Sequence, residues 1–138
     1  MSSCVSLFIF TQAYDIPRLR QDVLDCFYHC YNDEQDYGGF LLGAWDHGIA
    51  YGKTAPSSPI RKLLVDAYRM FMIDDHGGKV TNITEHPKEF LLDVLQSYVD
   101  ATPKQIQTPY ESTGLNPCDY YEHASKAEQQ ACKIRVKF

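Results

Sequence analysis

Apolar residues recur at intervals of three and four along much of the chain, the spacing that places side chains on one face of an α-helix. Three such stripes lie beside or just after Pro17, Pro59 and Pro87. Proline fits the first turn of a helix because its missing N–H had no partner there. The pattern therefore predicts three amphipathic helices. Their apolar faces are Ile16, Leu19, Val23, Cys26, Phe27 and Cys30; Ile60, Leu63, Leu64, Ala67 and Phe71; and Leu91, Val94, Leu95 and Tyr98.

Three further segments have less regular patterns. Residues 5–14 are almost wholly apolar, which is typical of buried helices and of buried strands alike. Residues 40–51 have helical spacing but contain several glycines, which lower helix propensity, so they predict a short helix. Residues 120–133 predict one polar helix. The connections are expected in the polar or Gly/Pro-rich stretches 32–36, 54–58, 74–85 and 102–117.

These elements together predict an all-α fold, a small irregular helical bundle of about five helices with an irregular C-terminal tail. Residues 1–101 are expected to form the helical domain, and residues 102–138 a linker and a tail with a short helix. The length of 138 residues suits one domain.

Composition and charge exclude several classes of protein. Hydrophobic residues make up 44% and charged residues 22% of the chain, as in globular domains, which argues against disorder. The net charge is −5 and no basic stripe is present, so nucleic acid is not expected as a partner. No stretch approaches the roughly 20 apolar residues that span a bilayer, so no membrane association is expected.

Cysteine usage and the terminal sequences predict an intracellular location, cytoplasmic or nuclear, with reduced thiols. The five cysteines are an odd number and widely spaced, unlike a secreted disulfide scaffold. No signal-peptide pattern or lipidation motif is found at either end. Cys26 and Cys30, which share a helix face with Val23 and Phe27, are interpreted as small core residues.

The tail contains the one cluster whose residue types suit a metal. Cys118, His123 and Cys132 carry the thiolate and imidazole groups that Zn²⁺ prefers, and a structural zinc site would stabilise a polar tail. The set supplies three of the usual four ligands and lacks the tight pairs of zinc fingers, so zinc is the less favoured interpretation. The fourth ligand would have to come from a histidine elsewhere: His29, His47, His76 or His86.

Signals of catalysis are weak. No Gly-x-Ser-x-Gly element and no Gly-rich phosphate loop with a lysine occurs, so the protein is not expected to be an enzyme. A loop with Asp74, Asp75 and His76, and His86 beyond it, offers acid–base or metal-binding groups. A solvated polar loop is the favoured interpretation of that segment.

Residues 7–20, LFIFTQAYDIPRLR, resemble a signature of BTB/POZ proteins, in which an apolar helix runs into a Tyr-Asp-Ile corner and a second helix. The departure is TQA at residues 11–13, where that family more often has Ala-Asp-Lys. Residues 58–68 and 87–95 are similar to the C-terminal halves of filamentous-fungal BTB/POZ-domain proteins. The NPCDYYEH of residues 116–123 is similar to their Cys-then-His endings, and the resemblance spans roughly residues 5–132.

The resemblance implies the last two helices of the BTB fold followed by a helical extension. It also implies that the N-terminal BTB sheet is lacking, so that the chain is a truncated form, either a natural short protein or a truncated gene product. In that family the surface for dimerisation and for cullin-type ubiquitin ligases lies mostly in the missing part. A ligase-adaptor role is therefore not carried over to particular residues of this chain.

The leading functional hypothesis is a non-catalytic protein–protein interaction module of BTB/POZ type. A helix over residues 5–13 would be apolar nearly all round and would need a cover, either the chain's own 87–101 segment, a second copy, or another protein. The equally weighted alternative is that these residues are simply core; the alternative function is a small zinc-binding structural domain. The expected interaction residues are Val5, Leu7, Phe8, Ile9, Phe10 and Tyr14.

Overall fold

The computed structural model describes residues 2–33, 43–74, 83–101 and 116–135. These ranges contain six α-helices and two 3₁₀ turns and no strand, so the prediction of an all-α fold is confirmed. The helices are α1 Ser2–Ala13, α2 Pro17–Asp33, α3 Ala44–Lys53, α4 Pro59–Asp74, α5 Lys88–Asp100 and α6 Lys126–Arg135. The 3₁₀ turns are Ile83–Glu85 and Pro117–Asp119.

The apolar N-terminal segment is a helix, and it ends in a tight corner. Asp15 adopts a left-handed conformation with φ of 49°, which aspartate tolerates better than most residues. The Ile16 N–H then donates to the Thr11 carbonyl at 2.9 Å, which closes the corner. Arg20 of α2 reaches back and donates to the same carbonyl at 3.3 Å. The end of α1 is thereby joined to the start of α2.

The core lies where α1 packs on α2 and α3, and where α4 packs on α3 and α5. Fully burying a valine, leucine or phenylalanine side chain stabilises the fold by about 1.5–3 kcal/mol each, so this cluster dominates stability. Its members are Val5, Phe8, Val23, Leu24, Phe27, Ala50, Tyr51, Ile60, Leu63, Leu64, Val65, Phe90, Val94 and Tyr120.

The buried face of α2 is rotated from the predicted one. Arg20, Val23, Leu24 and Phe27 are buried, whereas Cys26 is exposed, so its interpretation as a core residue is wrong. The rotation follows from Arg20, whose buried guanidinium donates to the Thr11 carbonyl and to the half-exposed Glu122 and so brings its own face inward. The side chain of Cys30 lies outside the described residues.

The connection between α3 and α4 is organised by Arg61. Its guanidinium donates to the carbonyls of Tyr51 and Thr54 at the end of α3, the first at 2.7 Å, and to the Thr54 hydroxyl at 3.1 Å. Its Cζ lies 4.3 Å from the centroid of the Tyr51 ring, and the carboxylate of Glu89 of α5 lies 3.5 Å from Nη1. One side chain of α4 thus satisfies the terminal carbonyls of α3, which have no partner within their own helix.

The segment before α6 docks on the helical bundle. Tyr120 is buried and its hydroxyl donates to Asp66 of α4 at 2.9 Å, and the Tyr121 hydroxyl donates to Asp25 of α2. Arg20 of α2 is paired with Glu122 at 2.8 Å. The polar helix predicted over 120–133 therefore begins only at Lys126. The linker predicted from residue 102 falls mostly on residues 102–115, outside the described ranges.

Cys118 and Cys132 are joined in a disulfide, with an S–S distance of 2.08 Å and Cα atoms 5.9 Å apart. The expectation of reduced thiols is therefore wrong for this pair. An odd number of cysteines requires one to be unpaired, but it does not prevent two others from pairing. The 3₁₀ turn and the reversal into α6 bring two residues 14 apart in sequence within bonding distance.

Candidate interaction surface

The structure divides the predicted interaction residues of α1 between the core and the surface. Val5 and Phe8 are fully buried, and Ile9 is partly buried against the core. These three are core residues, as the alternative interpretation held, and form no open surface in this structure. Those left exposed are Leu7 at 41%, Phe10 at 47% and Tyr14 at 68%.

Leu7, Phe10 and Tyr14 follow one another at intervals of three and four and form a single stripe, here called the α1 face. The rings of Phe10 and Tyr14 lie with centroids 4.5 Å apart. No charged residue occurs within α1, because its sequence is SSCVSLFIFTQA. Since α2 and α3 cover the other side of the helix, the α1 face is apolar surface presented by a firmly packed element.

A second apolar stripe lies on α5. Leu92, Leu95 and Val99 are 53%, 61% and 71% exposed, while Phe90 and Val94 of the same helix are buried. These three exposed residues are called the α5 face. The sequence pattern placed Leu95 on the buried side, which is wrong, because leucines at 91, 92 and 95 leave the apolar stripe broad and its centre undefined. Lys88, Glu89, Asp93 and Asp100 place charges along this helix, unlike α1.

A cluster of rings, called the histidine cluster, is formed by His47, His86, Tyr68 and Phe90 and is not indicated by any pattern in the sequence. The Nδ1 atoms of His47 and His86 lie 2.9 Å apart, at hydrogen-bonding distance. His47 is 1% exposed and stacks on Phe90 with centroids 3.9 Å apart. The edge of Tyr68 meets both imidazoles. The two histidines are 39 residues apart, so no short motif could have indicated the pair.

The environment of this cluster disfavours charge. Burial, and secondarily the neighbouring His86, lowers the pKa of His47 to about 3. Burial also lowers the pKa of His86, an effect that Glu85 partly opposes. Both imidazoles are therefore neutral at pH 7. One must donate its Nδ1–H and the other must accept it, so the contact holds one proton.

The predicted zinc ligands do not assemble in this structure. Cys118 and Cys132 are bonded to each other, and a disulfide sulfur is not the thiolate that zinc requires. The Nε2 of His123 lies 3.0 Å from the Cys118 carbonyl. Within the described ranges, no three histidine, cysteine or acidic residues are placed to hold a metal ion. Of the predicted polar loop, Asp75 and His76 lie outside the described residues.

Of the helices in the part of the chain that the structure describes, none has the length and hydrophobicity to cross a bilayer. Comparison with protein-family models, with curated proteins and with solved structures finds no match for this chain. The features of the chain that bear on its function are two exposed apolar faces, a buried histidine cluster and a disulfide-bonded tail.

Proposed function

We propose that this chain is a non-catalytic protein–protein interaction module of BTB/POZ type, and that it associates through the α1 face. The observation that carries the proposal is the exposure of Leu7 and Phe10 on α1, and of Tyr14 just after it, while the opposite side of the helix is buried in the core. Aromatic residues on a rigid element are effective binding anchors, because little conformational entropy is lost when they are covered. The resemblance of residues 7–20 to the BTB/POZ signature supports the same class of function.

A second copy of the chain is the occupant that fits this face best. The α1 face has no charge, so two copies can meet about a two-fold axis without like charges opposing each other. The net charge of −5 resides elsewhere and is screened at physiological salt. Three side chains are a small patch compared with the roughly 1,600 Å² of a standard interface, so the association is expected to be weak and reversible.

The test replaces Phe10 by aspartate and measures self-association by light scattering and sedimentation. Phe10→Asp should weaken dimerisation at least about tenfold, or 1.4 kcal/mol, because it places a charge in the centre of the contact. The matched control is Leu95→Asp, the same kind of change at an exposed apolar position of the α5 face. Both variants should keep the circular dichroism spectrum and thermal midpoint of the parent protein.

Two outcomes would contradict the proposal. The first is a monodisperse monomer up to about 500 μM, the range in which weak interfaces still associate, that also binds no apolar dye. The second is dimerisation that Leu95→Asp weakens and Phe10→Asp leaves intact, which would move the interface to the α5 face. If the natural partner is a different protein, the chain should be a monomer that binds the apolar dye, and Phe10→Asp should abolish that dye binding.

A further inference from the structure

The histidine cluster joins three parts of the fold that are separate in sequence. His47 belongs to α3 and Tyr68 to α4, whereas His86 directly follows the 3₁₀ turn and Phe90 lies in the first half of α5. The imidazole pair is the polar contact in this otherwise aromatic cluster, and it links α3 directly to the residue that follows the 3₁₀ turn. The geometry therefore couples the protonation of His47 and His86 to the packing of residues 83–90 on the rest of the fold.

Only one proton can lie between the two Nδ1 atoms. In the neutral pair one Nδ1–H donates to the lone pair of the other. A pair with one protonated ring keeps this hydrogen bond, because the Nδ1 of the neutral ring can still accept. If both rings are protonated, two N–H groups and two positive charges face each other across 2.9 Å, and the rings must separate.

The groups around the pair give little compensation for positive charge. From α3, Asp46 directly precedes His47 and accepts through Oδ2 from the Gly43 N–H at 3.2 Å. From α4 the facing group is Tyr68. The turn contributes Glu85, which favours protonation of His86. Among the described residues, Tyr51 of α3 meets the ring of Phe90, and its hydroxyl donates to Asp93 of α5 at 2.6 Å.

We propose that His47 and His86 form an acid-sensitive latch, which holds residues 83–90 on α3 and α4 when the pair is neutral and releases them when both rings are protonated. Release would expose the 3₁₀ turn and the first half of α5. The packing of α1 on α2 would be unchanged, because neither helix contains His47 or His86. The latch makes one end of the bundle responsive to acid without unfolding the other.

The direction of the pH effect follows from linkage. The pKa of His47 in the closed state lies far below its ordinary value of 6.5, so the open state binds protons more readily. The stability of the closed latch is therefore fully present above pH 6.5 and is lost as the pH falls toward 3. For a single histidine with this change, the open population rises about 20-fold between pH 7 and pH 5.

The test measures amide hydrogen exchange of peptides covering residues 83–100 at pH 7 and pH 5, corrected for the intrinsic pH dependence of exchange. The wild-type protein should lose about 20-fold of its protection in this segment, and the peptides of α1 and α2 should not. His47→Phe keeps a ring to stack on Phe90 but cannot be protonated, so most of the loss should disappear. His29→Gln, which removes an exposed histidine of α2, is the matched control and should behave as the wild type.

Ring resonances of the histidines, followed by NMR in the unmodified protein, give an answer that does not depend on a variant folding. The latch requires that protonation of both the His47 and the His86 ring be accompanied by increased exchange in residues 83–100. Protonation of both rings without increased exchange in residues 83–100 would overturn the proposal. Equal pH dependence of that exchange in His47→Phe and the wild type would overturn it as well.

Discussion

The first and last helices of the described chain are held in place by different forces. Val5 and Phe8 of α1 are fully buried, and α1 packs along two other helices. In α6 none of the described side chains, residues 126–132, is buried, and the helix is tied to the 3₁₀ turn by the Cys118–Cys132 disulfide. Burial of apolar surface thus stabilises one end, and a covalent bond replaces it at the other.

The largest expected effect is at α1, where packing alone is responsible. Phe8→Ala should lower the free energy of unfolding by about 3–5 kcal/mol, because it removes a fully buried ring and leaves a cavity. Urea denaturation followed by circular dichroism measures the change. The matched control is Phe10→Ala two residues away, which should cost less than about 1 kcal/mol since that ring is half exposed. Equal costs for the two variants would mean that α1 is not seated as described.

Breaking the disulfide should have an intermediate and local effect. A bond that closes a loop of about 15 residues is worth about 3 kcal/mol in the loop-entropy account, and α6 has little else to hold it. Reduction should therefore abolish exchange protection in residues 126–135 while the α1 and α2 peptides keep theirs. Cys26→Ser, which removes an exposed thiol, serves as the control and should change neither.

Two measurements on Cys118 and Cys132 distinguish a disulfide from a zinc site. Trypsin cleaves after Lys126, so without reductant the peptides that contain Cys118 and Cys132 should remain joined in a mass spectrum. Metal analysis should find less than about one-tenth of an equivalent of zinc, because a structural zinc site would stay loaded during purification. Separate peptides together with a full equivalent of zinc would contradict the disulfide and restore the zinc interpretation.

The smallest effect is expected at the ion pair between Arg20 of α2 and Glu122. Glu122, about half exposed, pairs with the buried guanidinium of Arg20, which also binds the end of α1. Glu122→Gln should destabilise by less than about 1 kcal/mol, as half-exposed ion pairs do, and the loss should shrink in high salt. Asp22→Asn, at an exposed position of α2, provides a baseline for removing one negative charge. A salt-independent loss above 2 kcal/mol would indicate that Arg20 depends on this carboxylate alone.

Local patterns in the sequence were sufficient for the helices but not for their contacts. Pro17 and Pro59 begin helices as expected, and the glycine-containing segment near Ala44 is helical despite its low propensity. The rotation of α2 could not be predicted, because it depends on acceptors for Arg20 that come from α1 and from Glu122, 102 residues away. Periodicity ranks residues by hydrophobicity and therefore places a buried arginine on the wrong side.

The functional features differ in the same way. The exposed half of α1 could be anticipated as a surface needing a cover, but the alternation of Phe8 inside and Phe10 outside required the positions of α2 and α3. The histidine cluster joins His47 and His86 from elements that only the fold brings together. The pairing of Cys118 with Cys132 required the turn at Pro117–Asp119, which no spacing rule for cysteines encodes.

Arg61 has a consequence for how the protein responds to ionic strength. Its charge is neutralised chiefly by backbone carbonyls and by the face of an aromatic ring, in a site where the side chain is 7% exposed. Added ions cannot approach this site, whereas they weaken surface pairs such as Lys62 with Asp66. The junction between α3 and α4 should therefore keep its stability when salt is added. The Arg61 guanidinium acts there as a fixed internal counterion for the end of α3.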